Sequence, residues 1–288
     1  MATAILKDTY GFLRWRLVPV RMLGKLKKTL ARPARPPRAE TRFDRDKLAR
    51  IENDGIAPAT PIAPPLLDEI REKYMPRAAQ VVPRTAGHPF ENVMRAEDFT
   101  ADDPVFRLAF SEEVLGAADA YFDGHFLFDS IQVLHSFPTE GKLRASQMWH
   151  KDYGDNKSLH LVMYVNDVED DADGPFVYID RQRSKSVARR PIIRRLSDDD
   201  IAGEIGGSDF QRFFGKAGEG VLVDPSACYH YGSRCRNGRT AVFVTFNTAT
   251  PYEPMQEPLK SARRQAAEEA RKVRPDLPCE YIDAILEA

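Results

Sequence analysis

From residue 126 to residue 247 the apolar positions fall into short β-branched and aromatic runs separated by turn residues. Residues 126–137 alternate in character and predict a strand, and residues 159–165 are apolar except for His160, as in a strand buried on both faces. Residues 220–223 form a third run, ended by Asp224-Pro225. Asn237-Gly238 is a hairpin signal that leads into a strand over residues 239–246. Residues 146–150 predict another strand, running into the acidic turn 153–156. About eight strands are expected in this stretch, the number that closes a double-stranded β-helix, or jelly-roll.

Upstream the period changes. Helices are expected over residues 44–53, over 64–73 with proline in the first turn, and over most of 102–121. Residues 55–59 read as extended. After residue 257 a helix rich in Lys, Arg, Glu and Ala runs to Lys272, and a short amphipathic one ends at Leu286. This tail is expected to cover the barrel or to form an oligomer contact. The fold class is α+β with a mainly β core, a cupin-like jelly-roll with flanking helices. The divisions expected are 1–42, 43–256 and 257–288.

The net charge of −1 conceals an asymmetry. Residues 1–42 carry eleven Lys or Arg and two acids, a net of +9, and the remainder carries −10. An acidic body without zinc-finger or P-loop spacing argues against nucleic-acid binding. The basic segment interleaves Phe12, Leu13, Trp15, Leu17, Leu23, Leu26 and Leu30 with its cations. Its apolar runs are too short to span a bilayer, and there is no cleavage site of a signal peptide. It reads as an amphipathic segment lying on an anionic membrane, or as one packing on a partner or on the body, with Pro19 dividing it into two short helices. A stiff Pro/Arg linker, residues 32–38, follows. Cys228, Cys235 and Cys279 are odd in number and form no Cys-x-x-Cys pair, which favours a reduced, cytoplasmic setting, peripheral at the inner membrane face if the basic segment binds there.

The chemistry centres on His150-Lys151-Asp152, with His230 and Arg239 downstream. On a strand, His150 and Asp152 share a face and Lys151 points away. With a second imidazole from His230 they make the two-His-one-carboxylate triad, which holds Fe(II) and leaves positions open for a co-substrate and O2. Arg239 suits the distal carboxylate of 2-oxoglutarate, since its planar fork takes both oxygens. The bland alternative is a surface His-Asp pair and a capping histidine in an all-β protein. Cys228 suits packing better than iron ligation. Residues 180–218 are a long, charged connection. In it Arg181, Arg183, Arg189, Arg190, Arg194 and Arg195 either bind an anionic substrate group or form a solvated face balanced by Asp198, Asp199 and Asp200.

The chain also resembles the bacterial branch of the phytanoyl-CoA dioxygenase superfamily. The resemblance lies in Gln147-Met148-Trp149-His150-Lys151-Asp152, in Tyr164 to Val168, in Asp173 to Ile179 and in Gly220 to Phe246, with Ile51 to Ile56 and Pro64 to Tyr74 upstream. It covers roughly residues 43–250. The resemblance implies His150, Asp152 and His230 as iron ligands and Arg239 as the 2-oxoglutarate anchor. It implies hydroxylation of a C–H bond in a small-molecule or lipid-linked substrate, with release of succinate and CO2. Asp180-Arg181-Gln182-Arg183-Ser184 departs from the family's Pro-Gly-Ser-His-like turn, so the substrates of known members do not carry over, and no role is assigned to His160. Two other classes are a non-catalytic cupin-like metal- or ligand-binding protein and a membrane-associated scaffold built on the basic N-terminus.

Overall fold

A computed structural model of the protein describes residues 18–30, 41–139, 141–188 and 195–288. Helix α1 (Val18–Leu30) has Pro19 in its first turn, where the missing amide hydrogen costs nothing. The helix expected before Pro19 lies outside the described residues, as does the linker over 32–38. Asp44 starts α2 (Arg45–Asp54) by accepting the amides of Asp46 and Lys47, and Gly55 ends it at φ 83°. The chain then enters β1 (Ile56–Pro58). Helix α3 (Pro64–Gln80) outruns its expected end and carries Pro76 inside. Tertiary contacts outweigh the lost backbone bond: the Tyr74 hydroxyl donates to Asp103 at 2.6 Å, and Arg77 grips both oxygens of Asp98. After β2 (Phe90–Asn92) the expected helix over 102–121 is two, α4 (Pro104–Ala109) and α5 (Glu112–Phe122), the second started by the Ser111 cap.

The remaining elements are β3 (Phe126–Ser136), β4 (Ser158–Tyr164), β5 (Phe176–Tyr178), α6 (Arg181–Ser186), α7 (Asp198–Ile205), β6 (Gln211–Phe213), β7 (Gly220–Val223), β8 (His230–Tyr231), β9 (Arg239–Thr248), α8 (Leu259–Val273) and α9 (Cys279–Leu286). They build a six-stranded sheet in the order β1-β7-β4-β9-β3-β2 and a three-stranded sheet in the order β6-β5-β8. Seven strands, rather than about eight, lie between 126 and 248 among the described residues, and β1 and β2 extend the larger sheet.

Two local expectations change. Residues 146–150 are not a strand: a 3-10 turn, Ala145–Gln147, precedes two isolated bridges at Trp149 and His150. Nor does Asn237-Gly238 close a hairpin. β8 pairs with β5, while β9 pairs with β3 and β4, so this turn carries the chain from one sheet to the other.

Alternation along β9 sorts its side chains. Val242, Val244 and Phe246 enter the main core, where Phe128 lies between Phe246 and Phe110 at ring separations of 4.6 and 4.9 Å. Leu259, Ala266, Tyr281 and Ile285 of α8 and α9 belong to the same core, so the tail covers the large sheet. Arg239, Ala241, Phe243, Thr245 and Asn247 occupy the other face. There Phe243 packs with Val162 and Phe176, and Thr245 and Asn247 line a cavity.

Candidate metal centre

His150 and His230 are joined edge to edge. Each amide donates to the other's carbonyl, at 3.0 and 2.9 Å, and Trp149 makes the same exchange with Leu196. The segment carrying His150 thereby extends the small sheet beyond β8. On its outer face Trp149 packs on Tyr231 at 4.7 Å and donates its indole N–H to Asp198, so both aromatics support the site from behind. The two imidazoles turn inward. The amide of Asp152 donates to the Pro225 carbonyl at 2.9 Å, which fixes the third residue.

One ligand atom each of His150, Asp152 and His230 lies within 4.8 Å of the others. Nε2 of His150 is 3.5 Å, and Nε2 of His230 4.0 Å, from the same oxygen of Asp152. The opposite ring nitrogens are occupied. Nδ1 of His150 donates to the Met148 carbonyl at 2.8 Å and Nδ1 of His230 to the Cys228 carbonyl at 3.1 Å. Each ring is tied to the carbonyl two residues before it, which sets the tautomer and aims the Nε2 lone pair at the carboxylate. Burial, reinforced by His230, pushes the His150 imidazolium down to about 3. Burial works against charge on Asp152, yet His230, His160 and His150 together hold its carboxyl below the usual range. A neutral imidazole beside an ionised carboxylate is the protonation state a metal requires.

His160 is the member that motif reasoning left without a role. It sits two residues into β4, on the face of Ser158 and Val162, and its Nε2 is 3.6 Å from the second oxygen of Asp152. Burial pushes its imidazolium down to about 4. Its position two residues from Ser158 on an alternating strand was the available signal. Asp129, Glu253 and Gln256 had none, because their approach depends on distant segments.

His150, Asp152 and His160 line a cavity of about 230 Å³. Its wall includes Ser158, Thr245, Asn247, Gln256, Asp129 and Glu253, with no Ala, Val, Leu or Ile among the described residues. Asn247 and Gln256 donate amide hydrogens to the two oxygens of Asp129, at 3.0 and 2.6 Å. Arg195 lines the cavity as well. The other arginines of that connection differ. Arg181 is bound to Asp224, Tyr121 and the Ile51 carbonyl, and Arg183 donates to the Asp209 carbonyl. Arg189, Arg190 and Arg194 lie outside the described residues. Cys228 is buried, its thiol 3.6 Å from the Asp54 carbonyl and pushed up to about 12 by burial and Asp224.

Arg239 is not among the described residues lining that cavity. Its guanidinium is buried one alternation beyond His230, beside Gly232, where a Cβ would stand 3.3 Å from Nη2. Nη1 donates to the Gly174 carbonyl at 2.5 Å, while Nη2 lies 3.5 and 3.4 Å from the hydroxyls of Ser136 and Ser233. Nε has no partner among the described residues. A buried guanidinium with donors to spare is set to receive an anion.

No protein-family model and no curated protein matches the chain. Solved structures do. The epimerase SnoN, in complex with Fe3+, alpha ketoglutarate and nogalamycin RO, is 16% identical with a TM-score of 0.53, over 73% of this chain and 86% of that one. EctD from S. alaskensis, with 2-oxoglutarate and 5-hydroxyectoine, is 15% identical at a TM-score of 0.51, over 75% and 83%. HygX from Streptomyces hygroscopicus, with nickel, 2-oxoglutarate and hygromycin B bound, is 15% identical at 0.50, over 71% and 87%. The chain has the jelly-roll fold of these proteins. At such identities the likeness concerns architecture, and chemistry resides in the side chains.

Proposed function

We propose that this protein is an Fe(II)- and 2-oxoglutarate-dependent dioxygenase that hydroxylates a C–H bond of a polar small molecule, or of the polar part of a lipid-linked one. The observation that carries the reading is the convergence of two Nε2 lone pairs and a carboxylate, with both Nδ1 atoms tied to backbone carbonyls. His150, Asp152 and His230 would hold the iron. The orphaned Nε of Arg239 and the space kept open by Gly232 fit the far carboxylate of 2-oxoglutarate. The solved neighbours that hold alpha ketoglutarate or 2-oxoglutarate support the same co-substrate.

Bound iron with 2-oxoglutarate and O2 supplies the oxidising power, giving succinate and CO2 as co-products. The protein's own contribution is positional. The small sheet fixes both imidazoles through backbone bonds, and Arg239 orients a dicarboxylate by charge and hydrogen bonding. Ser158, Thr245, Asn247 and Gln256 offer donors and acceptors to a hydroxylated or amide-bearing substrate, and the polar lining among the described residues disfavours a hydrocarbon chain in this cavity.

The test is anaerobic titration of the full chain with Fe(II) and then 2-oxoglutarate. A weak visible charge-transfer band is expected, followed by succinate release when O2 is admitted. Metal binding without succinate would favour the cupin-like binding protein instead. Absence of metal binding would remove the reading altogether.

A further inference from the structure

Six large apolar side chains are exposed among the described residues, and four of them belong to α1: Met22, Leu23, Leu26 and Leu30 are 61%, 59%, 53% and 77% exposed. Positions i, i+1, i+4 and i+8 fall on one side of a helix, so these four form a single stripe. The helix also carries Arg21, Lys25, Lys27 and Lys28 and no acid. With thirteen residues it spans about 20 Å, too short to cross a bilayer. No helix among the described residues is long and apolar enough to do so.

Among the described residues, Lys25 seats α1 on the body. The Lys25 ammonium is 3.0 Å from Asp155, contacts Asn156, is 3.2 Å from the Thr248 hydroxyl and lies over the Tyr252 ring. These residues adjoin the cavity wall. Tyr153 and Gly154 line the cavity immediately before Asp155, and the amides of Tyr252 and Glu253 both donate to the Gly154 carbonyl. The basic helix is therefore tied to residues next to the wall of the candidate active site while its apolar stripe points to solvent.

We propose that α1 is an interfacial helix that docks the protein on an anionic lipid bilayer, stripe inward, and so holds the cavity wall at the membrane surface. Charge complementarity selects the occupant: residues 1–42 carry a net +9, which an anionic surface attracts and an ordinary protein core would not tolerate. The docking stands whether or not the triad binds iron. Combined with the polar cavity, it favours a substrate whose polar head enters the site while an apolar part stays in the bilayer.

The experiment is co-sedimentation of the full chain with vesicles of phosphatidylcholine alone or mixed with phosphatidylglycerol. Binding to the anionic vesicles is expected to be at least about tenfold tighter and to weaken with salt. The double variant Leu23→Asp/Leu26→Asp should lose that binding by about tenfold or more while keeping its circular dichroism, thermal transition and metal titration. The proposal fails if the wild-type chain stays in the supernatant with anionic vesicles at low salt, or if the variant binds as well. It fails equally if light scattering shows that the stripe pairs two copies, with a dimer that the variant dissolves and no vesicle binding.

Discussion

The backbones of His150 and His230 hydrogen-bond to each other in both directions, across eighty residues of chain. Main-chain atoms therefore set the spacing of the two imidazoles, and replacing either ring should leave the bridge in place. His230→Ala is expected to lower Fe(II) or Co(II) affinity by at least about 100-fold, since one of the three proposed ligands would be lost. The metal-free thermal transition should move only slightly. A calorimetric metal titration beside a melting curve measures both, and a variant that binds metal like the wild type would exclude His230 as a ligand.

Gly232 lies between His230 and Arg239, and that position explains why it carries no side chain. A methyl group there would stand 3.3 Å from Nη2 of Arg239, on the space a carboxylate would enter. A good charge-assisted bond contributes about 1.5–3 kcal/mol, so Gly232→Ala is expected to weaken 2-oxoglutarate binding roughly 10- to 100-fold. Metal affinity should be unchanged. Fluorescence or calorimetric titration of 2-oxoglutarate into the metal-loaded variant decides it, and unaltered binding would place the co-substrate elsewhere.

Most of this arrangement was readable before any coordinates. The strands over 159–165, 220–223 and 239–246 declare themselves through β-branched and aromatic runs, and the His150, Asp152 and His230 pattern names their common site. Pairing was not readable. Asn237-Gly238 has hairpin chemistry, yet His230 and Arg239 enter opposite sheets because β8 finds β5 and β9 finds β3 and β4. Local turn propensity does not encode that long-range choice. The segment before His150 likewise reads as a strand but begins as a 3-10 turn, closed by Gln147, whose side chain accepts the Arg144 amide. Asp129, Glu253 and Gln256 converge from separate parts of the chain and leave no motif.

The cavity acid Asp129 gives a pH test with a definite sign. Burial, with Glu253 and Asp152 nearby, raises its carboxyl to about 7. Between about 4 and 7 the folded protein keeps a proton that the unfolded chain has lost, so this residue reduces stability as pH rises through that window. His150 and His160 act oppositely. Their folded values of about 3 and about 4 lie below the ordinary imidazole, so their contribution is complete above about 6.5 and is lost as pH falls. Asp129→Asn isolates the carboxylate. Relative to wild type, the metal-free variant should gain on the order of 3 kcal/mol between pH 4 and pH 8, read from urea unfolding at each pH. An identical pH dependence for the two proteins would show that Asp129 is ionised normally.

Gly174 meets two demands at once. Its φ is 72°, and a Cβ would lie 2.7–2.9 Å from the Cβ, N and Cα of Cys235, most of it rigid backbone. Its carbonyl also receives Nη1 of Arg239. Gly174→Ala should therefore cost roughly 2–4 kcal/mol from left-handed strain and overpacking together. It should also disturb Arg239 in its proposed role as the 2-oxoglutarate anchor. Chemical unfolding measures the first effect and 2-oxoglutarate titration the second, and a variant as stable as wild type would contradict the packing described.

His160 faces the oxygen of Asp152 that points away from the two bridged imidazoles. Nε2 of His160 is 3.6 Å from that oxygen, too long for a hydrogen bond and close enough to limit how the carboxylate turns. A metal drawing on Asp152 through the other oxygen benefits from that restriction, as ligands held by outer groups usually do. His160→Ala should then weaken metal binding by about 10-fold, at the lower end of what losing an outer-shell partner costs. A Co(II) titration followed in the visible region should show the weakening together with a broadened ligand-field spectrum, because the carboxylate samples more orientations. If affinity and spectrum are both unchanged, Asp152 is held by its backbone bond to Pro225 alone, and His160 belongs to the substrate-facing wall.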